Sequence, residues 1–232
     1  MRRVDYSISS NDYDKIRATG RKALYDNMRE KDCLLSLMPK DKTNEILDVG
    51  CGTGKGVLFL VEEEYKVIGL DFTMNMLKLC RNKINDNHKV KLIQGDAGEL
   101  PFPNNSIKNI ISLNFLHLFS NEDQKYFINE MARVVKPQGV VICQFNNYYR
   151  GLIAGRQTLK INPTLHLNRK SDFKFLFSNP KLKIEKIHGT AFPYMWRLFQ
   201  YMPNIGVFFD ILAHFWPFYL IAPSFMVRAR KL

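Results

Sequence analysis

Three observations predict an α/β fold for this 232-residue chain: a doubly wound, mostly parallel sheet with helices on both faces. Ile46-Leu47-Asp48-Val49 is an apolar run that stops at Gly50-Cys51-Gly52-Thr53-Gly54, and the helical-looking Val57-Leu58-Phe59-Leu60-Val61 follows. Strand-like and helix-like segments then alternate as far as Phe145, the pattern of a parallel sheet with crossover helices. A second apolar run, Val67-Ile68-Gly69-Leu70, ends in Asp71, about 20 residues past the first glycine, where a carboxylate can reach ribose hydroxyls.

Residues 11–38 predict one or two helices, with Ile16, Ala23, Leu24, Leu34 and Leu35 as apolar anchors. Strands are expected near 46–49, 66–70, 90–94, 109–114 and 139–145. Beyond Asn146 the chain becomes basic and irregular to about residue 180. Lys181–Ile187 then alternates polar and apolar, and Ser224–Arg230 is apolar before it alternates. Between these two runs, Phe192–Pro223 holds both tryptophans and many phenylalanines and tyrosines, with Arg197 and Asp210 among its few charges. A membrane span needs about 20 uninterrupted apolar residues. Pro203, Asn204, Gly206, Asp210, His214 and Pro217 interrupt this run, so it reads as a helical insert, with a core-capping face, a lid face or an interfacial face.

Glycines at 50, 52 and 54 let another molecule lie on the backbone, and the following helix would aim its N-terminus at it. A dinucleotide fingerprint requires a third glycine at Lys55 or Val57, and neither is one. A phosphate loop requires glycine at Val49 and a hydroxyl at Gly56, and both are missing. The remaining pattern, D-x-G-x-G-x-G, suits a nucleoside with an amino-acid tail and no pyrophosphate.

Over roughly residues 10–146 the chain resembles the class I S-adenosylmethionine-dependent methyltransferases, in the form of the ubiquinone/menaquinone-biosynthesis group. The resemblance is carried by Asp48–Gly54, Val67–Asp71 with Phe72–Leu77, Val90–Ala97, Glu99-Leu100-Pro101-Phe102-Pro103, and Met131–Val140. It implies a Rossmann-like, seven-stranded sheet, in which Lys181–Ile187 and Ser224–Arg230 are the sixth and seventh strands and the last is antiparallel. It also implies one domain over 1–232: an N-terminal helical cap (1–45), a cofactor-binding core (46–146) and a substrate-side region (147–232) containing the aromatic insert (192–223).

For the site, the resemblance implies S-adenosyl-L-methionine as cofactor. Asp48, Gly50, Cys51, Gly52 and Gly54 would lie along its methionine portion, and Asp71 would accept its ribose hydroxyls. Phe72 or Met76 would pack on the adenine, Asp96 and Ala97 would face it, and Asn114 would stand at the edge toward the reactive methyl. Tyr13, Arg17 and Arg21 are candidates to reach the methionine tail, an arginine fork being suited to a carboxylate. His117, just after the fourth strand, is the candidate general base for an acidic hydroxyl or amine acceptor; its bland reading is a backbone-bonded turn residue. No cluster has metal-ligand spacing, so no metal is expected.

The formal charge of +12 is uneven. Residues 1–150 hold 22 basic against 19 acidic side chains, so most of the excess lies in 151–232, the part that should see the substrate. Two acceptors fit: a small apolar or lipid-linked molecule, with the basic aromatic region on an anionic membrane surface, or RNA. The aromatics lie in a nearly uncharged run rather than interleaved with arginine and lysine, which favours the first. A non-catalytic cofactor-binding module is the third reading. Cys33, Cys51, Cys80 and Cys143 form no C-x-x-C and read as buried thiols. Residues 1–7 have no signal-peptide core, so a cytoplasmic, membrane-associating protein is expected.

Overall fold

The computed structural model describes residues 21–85, 87–149, 166–190, 220 and 222–232. Tyr13, Arg17 and nearly all of the aromatic insert lie outside the described residues. The element order is α1 (Arg21–Leu37), β1 (Ile46–Val49), α2 (Lys55–Glu62), β2 (Val67–Asp71), α3 (Met74–Ile84), β3 (Val90–Gln94), β4 (Ile107–Ser112), a 3₁₀ turn (Leu116–Leu118), α4 (Asn121–Val134), β5 (Val135–Asn146), α5 (Asp172–Leu176), β6 (Leu182–Gly189) and β7 (Ser224–Lys231).

The strands form one sheet in the order β3-β2-β1-β4-β5-β7-β6. β1 through β5 pair in parallel, and β7 runs antiparallel to both β5 and β6. This is the doubly wound sheet with a reversed last strand. The order turns back between β1 and β4, and a crevice opens beyond the carboxyl ends of strands at such a reversal.

Period-2 alternation divides the core in two. Leu47, Val49, Ile68, Leu70, Val141, Cys143, Phe145, Phe225 and Val227 face one side, where α4 and α5 contribute Phe127, Ile128, Met131, Phe173 and Leu176. Ile46, Val67, Val140, Ile142 and Met226 face the other, under Leu34 and Leu37 of α1, Val57 and Leu60 of α2, and Leu77 and Cys80 of α3. All four cysteines are free and buried in these layers. α4 begins at Ser120, whose Oγ accepts from the Asp123 N–H, and Glu122 and Asp123 complement the helix dipole in its first turn.

β5 begins four residues earlier than its apolar run suggests. Ile107 pairs with Val135, the register slips, and Asn109 pairs with Val140. The bulge absorbs Lys136–Gly139. Gln138 takes a positive φ of 59°, and a Cβ on Gly139 would meet the Lys108 carbonyl oxygen at 2.5 Å.

Candidate functional site

The glycine loop sits at the reversal point and is stitched to β2. Gly50 and Cys51 N–H groups both donate to the Leu70 carbonyl, at 2.8 and 3.0 Å. Asp71 accepts from Gly52 N–H on Oδ2 and from Thr73 N–H on Oδ1, each at 2.8 Å. One carboxylate thus fixes the loop against the entry to α3. Burial raises the Asp71 pKa, and the two backbone donors oppose that rise. Each oxygen keeps a lone pair for a further donor.

Two glycines carry the loop's geometry. Gly54, at φ 88°, caps α2 in the left-handed region, and a Cβ there would collide with Cys80 Sγ. Gly52, at φ 54°, is different: a Cβ there would meet nothing within 4 Å among the described residues. Its missing side chain leaves a bare stretch of backbone facing open space.

Asp48 lies beneath the loop, 1% exposed, with Oδ2 against Gly56 of α2. Its Oδ1 has no hydrogen-bond partner among the described residues. Burial, reinforced by the charge of Asp71, raises its pKa to about 8. An orphaned carboxylate oxygen under an open glycine loop fits a ligand that brings cationic groups.

The turn after β4 forms the other wall. Asn114 adopts a positive φ of 53°, and its N–H donates to Gln144 Oε1 of β5 at 3.0 Å. Its Nδ2 donates to Glu30 Oε1 of α1 at 2.6 Å, while Lys55 Nζ reaches Glu30 Oε2, also at 2.6 Å. Glu30 is 7% exposed, so this carboxylate clamps α1, the head of α2 and the β4 turn from the inside. Sequence reading passed over Glu30, Lys55 and Gln144. A signal was present: Glu30 lies three, four and seven residues before Cys33, Leu34 and Leu37, on the apolar face of α1.

After β3, Asp96 Oδ1 accepts from Gly98 N–H at 2.8 Å, and Ala97 is buried beside it. Phe72 is 49% exposed, whereas Met76 is buried inside α3. Cys51 is buried within the loop. Arg21 begins α1; its side chain is outside the described structure. His117 lies in the 3₁₀ turn, 4% exposed, and its carbonyl accepts from the His166 N–H at 2.7 Å. The structure therefore ties Asp71 to the glycine loop, packs Asp48 against the head of α2, joins Asn114 to α1 and β5, and buries His117 in the 3₁₀ turn that follows.

Residues 46–139 match the methyltransferase-domain family model. The chain is 38% identical over 139 residues to the demethylmenaquinone methyltransferase of Listeria welshimeri, covering 58% of this chain and 57% of that protein. It is 35% identical over 148 residues to the demethylmenaquinone methyltransferase of Geobacillus stearothermophilus, covering 62% and 61%. It thus matches little more than half the length of these curated relatives. Among solved structures, magnesium protoporphyrin IX methyltransferase from Synechocystis PCC 6803 with bound SAH aligns at TM-score 0.70 and 13% identity, over 98% of this chain and 96% of that one. An S-adenosylmethionine-dependent methyltransferase from Mesorhizobium loti aligns at TM-score 0.64 and 18% identity, over 88% and 98%. The fold is thus one shared with S-adenosylmethionine-dependent methyltransferases of known structure, and the glycine loop falls inside the residues, 46–139, that match the methyltransferase-domain model.

Proposed function

We propose that this chain transfers a methyl group from S-adenosyl-L-methionine to a small apolar or lipid-linked acceptor of the menaquinone type. The observation that carries the proposal is the bare Gly52 backbone, held by Asp71, in the loop that follows the strand bearing the unpartnered Asp48 oxygen. When bound, the cofactor supplies a methyl group on positive sulfur, open to in-line displacement.

Asp71 would hold the ribose hydroxyls, and Phe72 would cover the adenine with Asp96 and Ala97 at its edge. Gly50–Gly54 would lie along the amino-acid tail. Asn114, oriented by Glu30 and Gln144, would stand beside that tail at the edge toward the reactive methyl. Tyr13 and Arg21 complete the proposed set from the N-terminal cap. Much of the protein's contribution is then orientation and exclusion of water, because the transferred group is already activated. His117 is proposed as the base for an acidic acceptor; its burial requires the acceptor to be drawn in beside the β4 turn.

The menaquinone-type acceptor rests on the names of the two relatives, and the hydrophobic insert 192–223 supports an apolar one. Among the described residues no helix is long and apolar enough to cross a membrane, so attraction to an anionic membrane surface is the proposed route to a lipid-linked acceptor. The three-part division at 45 and 146 is proposed with it.

The test is a labelled-methyl assay on cell extract, with organic and aqueous phases counted separately. Label in the organic phase is expected. Label confined to RNA would overturn the acceptor. Saturable cofactor binding without any transfer would favour a binding module.

A further inference from the structure

At the amino ends of the parallel strands, the chain forms an open cavity of about 580 Å³. It lies between the end of α4, the Asn104–Asn105 turn before β4, the 178–181 segment before β6, and the end of β7. Its volume is in the range of small-molecule sites. Four cationic side chains line it: Lys125, Arg133, Lys181 and Lys231.

Their charges are unevenly compensated. Arg133 is paired with Glu130, and its remaining donors go to the Leu100 and Phe102 carbonyls and Asn104 Oδ1. Lys231 is 6% exposed, and its Nζ is bonded only to neutral oxygens: Asn105 Oδ1 at 2.6 Å and the Ala132 and Val135 carbonyls at 2.6 and 2.7 Å, with Arg133 O at 3.4 Å. Burial lowers the Lys231 pKa, and the neighbouring Lys181 charge lowers it further. A helix C-terminal cap explains why Lys231 is there. Lys181 lines the same cavity with an exposed side chain and forms no ion pair among the described residues. Lys125 rests on the Phe175 ring at 4.3 Å and forms no ion pair among the described residues.

The asparagines point the same way. Asn104, Asn105 and Asn129 each spend their side-chain oxygen on Arg133, Lys231 and Asn179 respectively. What each retains for a ligand is its amide N–H₂. The cavity lining thus combines four cationic side chains with amide donors.

We propose that this cavity binds a small phosphate-bearing solute, held by Lys181, Lys125 and the amides of Asn104, Asn105 and Asn129. A polyanion at Lys181 and Lys125 gains charge-assisted hydrogen bonds there and meets the free amide N–H₂ groups of the asparagines. The site lies at the amino ends of the parallel strands, away from the cofactor crevice, and does not depend on the methyl-transfer reading.

The probe is inorganic pyrophosphate, titrated calorimetrically into the full-length protein at low ionic strength. Saturable one-site binding is expected, weakened about tenfold in Lys181→Gln and in Lys125→Gln, with S-adenosylhomocysteine affinity unchanged in both. Phosphatidylglycerol vesicles form the second arm. Flotation that pyrophosphate displaces, and that Lys181→Gln loses, identifies the phosphate as a lipid headgroup; saturable pyrophosphate binding without flotation identifies a free solute. The proposal is overturned if pyrophosphate does not bind saturably, or if both variants bind it as tightly as the parent chain.

Discussion

Asp48 is an acid placed where its charged form is costly. Its folded pKa is about 8, well above the ordinary carboxylate value. Between roughly pH 4 and that value the folded chain holds a proton that the unfolded chain has released. Stability from this group is therefore greatest in acid and falls as pH rises, by up to about 1.4 kcal/mol per pH unit, before levelling off above the folded pKa. Asp48→Asn should flatten that slope: chemical denaturation at pH 5 and pH 8 should differ less in the variant than in the parent. Equal slopes would show that Asp48 ionises freely in the fold.

Glu30 makes a sharper prediction. If it sets Asn114 and Lys55 for the amino-acid tail, Glu30→Gln should weaken S-adenosylhomocysteine binding about tenfold, or about 1.4 kcal/mol. Methylthioadenosine, which lacks the tail, should bind both proteins alike. Equal losses for the two ligands would reduce Glu30 to a general fastener of α1.

At the scale of elements, Arg133 at the end of α4 fixes the Leu100–Asn104 segment. Its Nη1 donates to Phe102 O and Asn104 Oδ1, and its Nη2 to Leu100 O. Glu130 holds Nε and accepts the Leu100 N–H on its other side. A lysine has one compact ammonium and cannot span these acceptors. Arg133→Lys should lower stability by about 1–2 kcal/mol, a fall of a few degrees in Tm. An unchanged melting curve would show that Leu100, buried on its own account, anchors the segment.

This element also marks where sequence reading stops. Whereas α5 lies in the stretch that read as irregular, the strands followed from apolar runs, which the two core layers impose directly. The start of β5 did not, because Lys136–Gly139 has loop chemistry and joins the strand only through a bulge against β4. Glu30 was hidden for a similar reason: its partners lie 25 and 84 residues away, and only the packed fold brings them together.

At the scale of the whole molecule, the glycine loop lies at the sheet's point of reversal, between β1 and β4, where doubly wound sheets form ligand crevices. The loop's chemistry was legible because glycine spacing is local. The burial of His117 and Met76 was not, because it depends on what packs over them. A ligand in that crevice contacts parts that separate on unfolding, so it stabilises the whole fold by mass action. At a hundredfold excess over its dissociation constant, S-adenosylhomocysteine should add about 2.7 kcal/mol. For a domain of this size that corresponds to several degrees in Tm, at about 2–4 °C per kcal/mol. Gly52→Ala should abolish most of this shift: the added methyl meets no atom of the described residues within 4 Å and occupies the surface the ligand needs. The unliganded variant should melt only slightly lower, by the strain of a φ of 54° at a residue with a Cβ, about 1 kcal/mol. Thermal melts of both proteins with and without the ligand separate the two effects. If the ligand shifts neither protein, or both equally, the glycine loop is not the surface that holds the nucleoside.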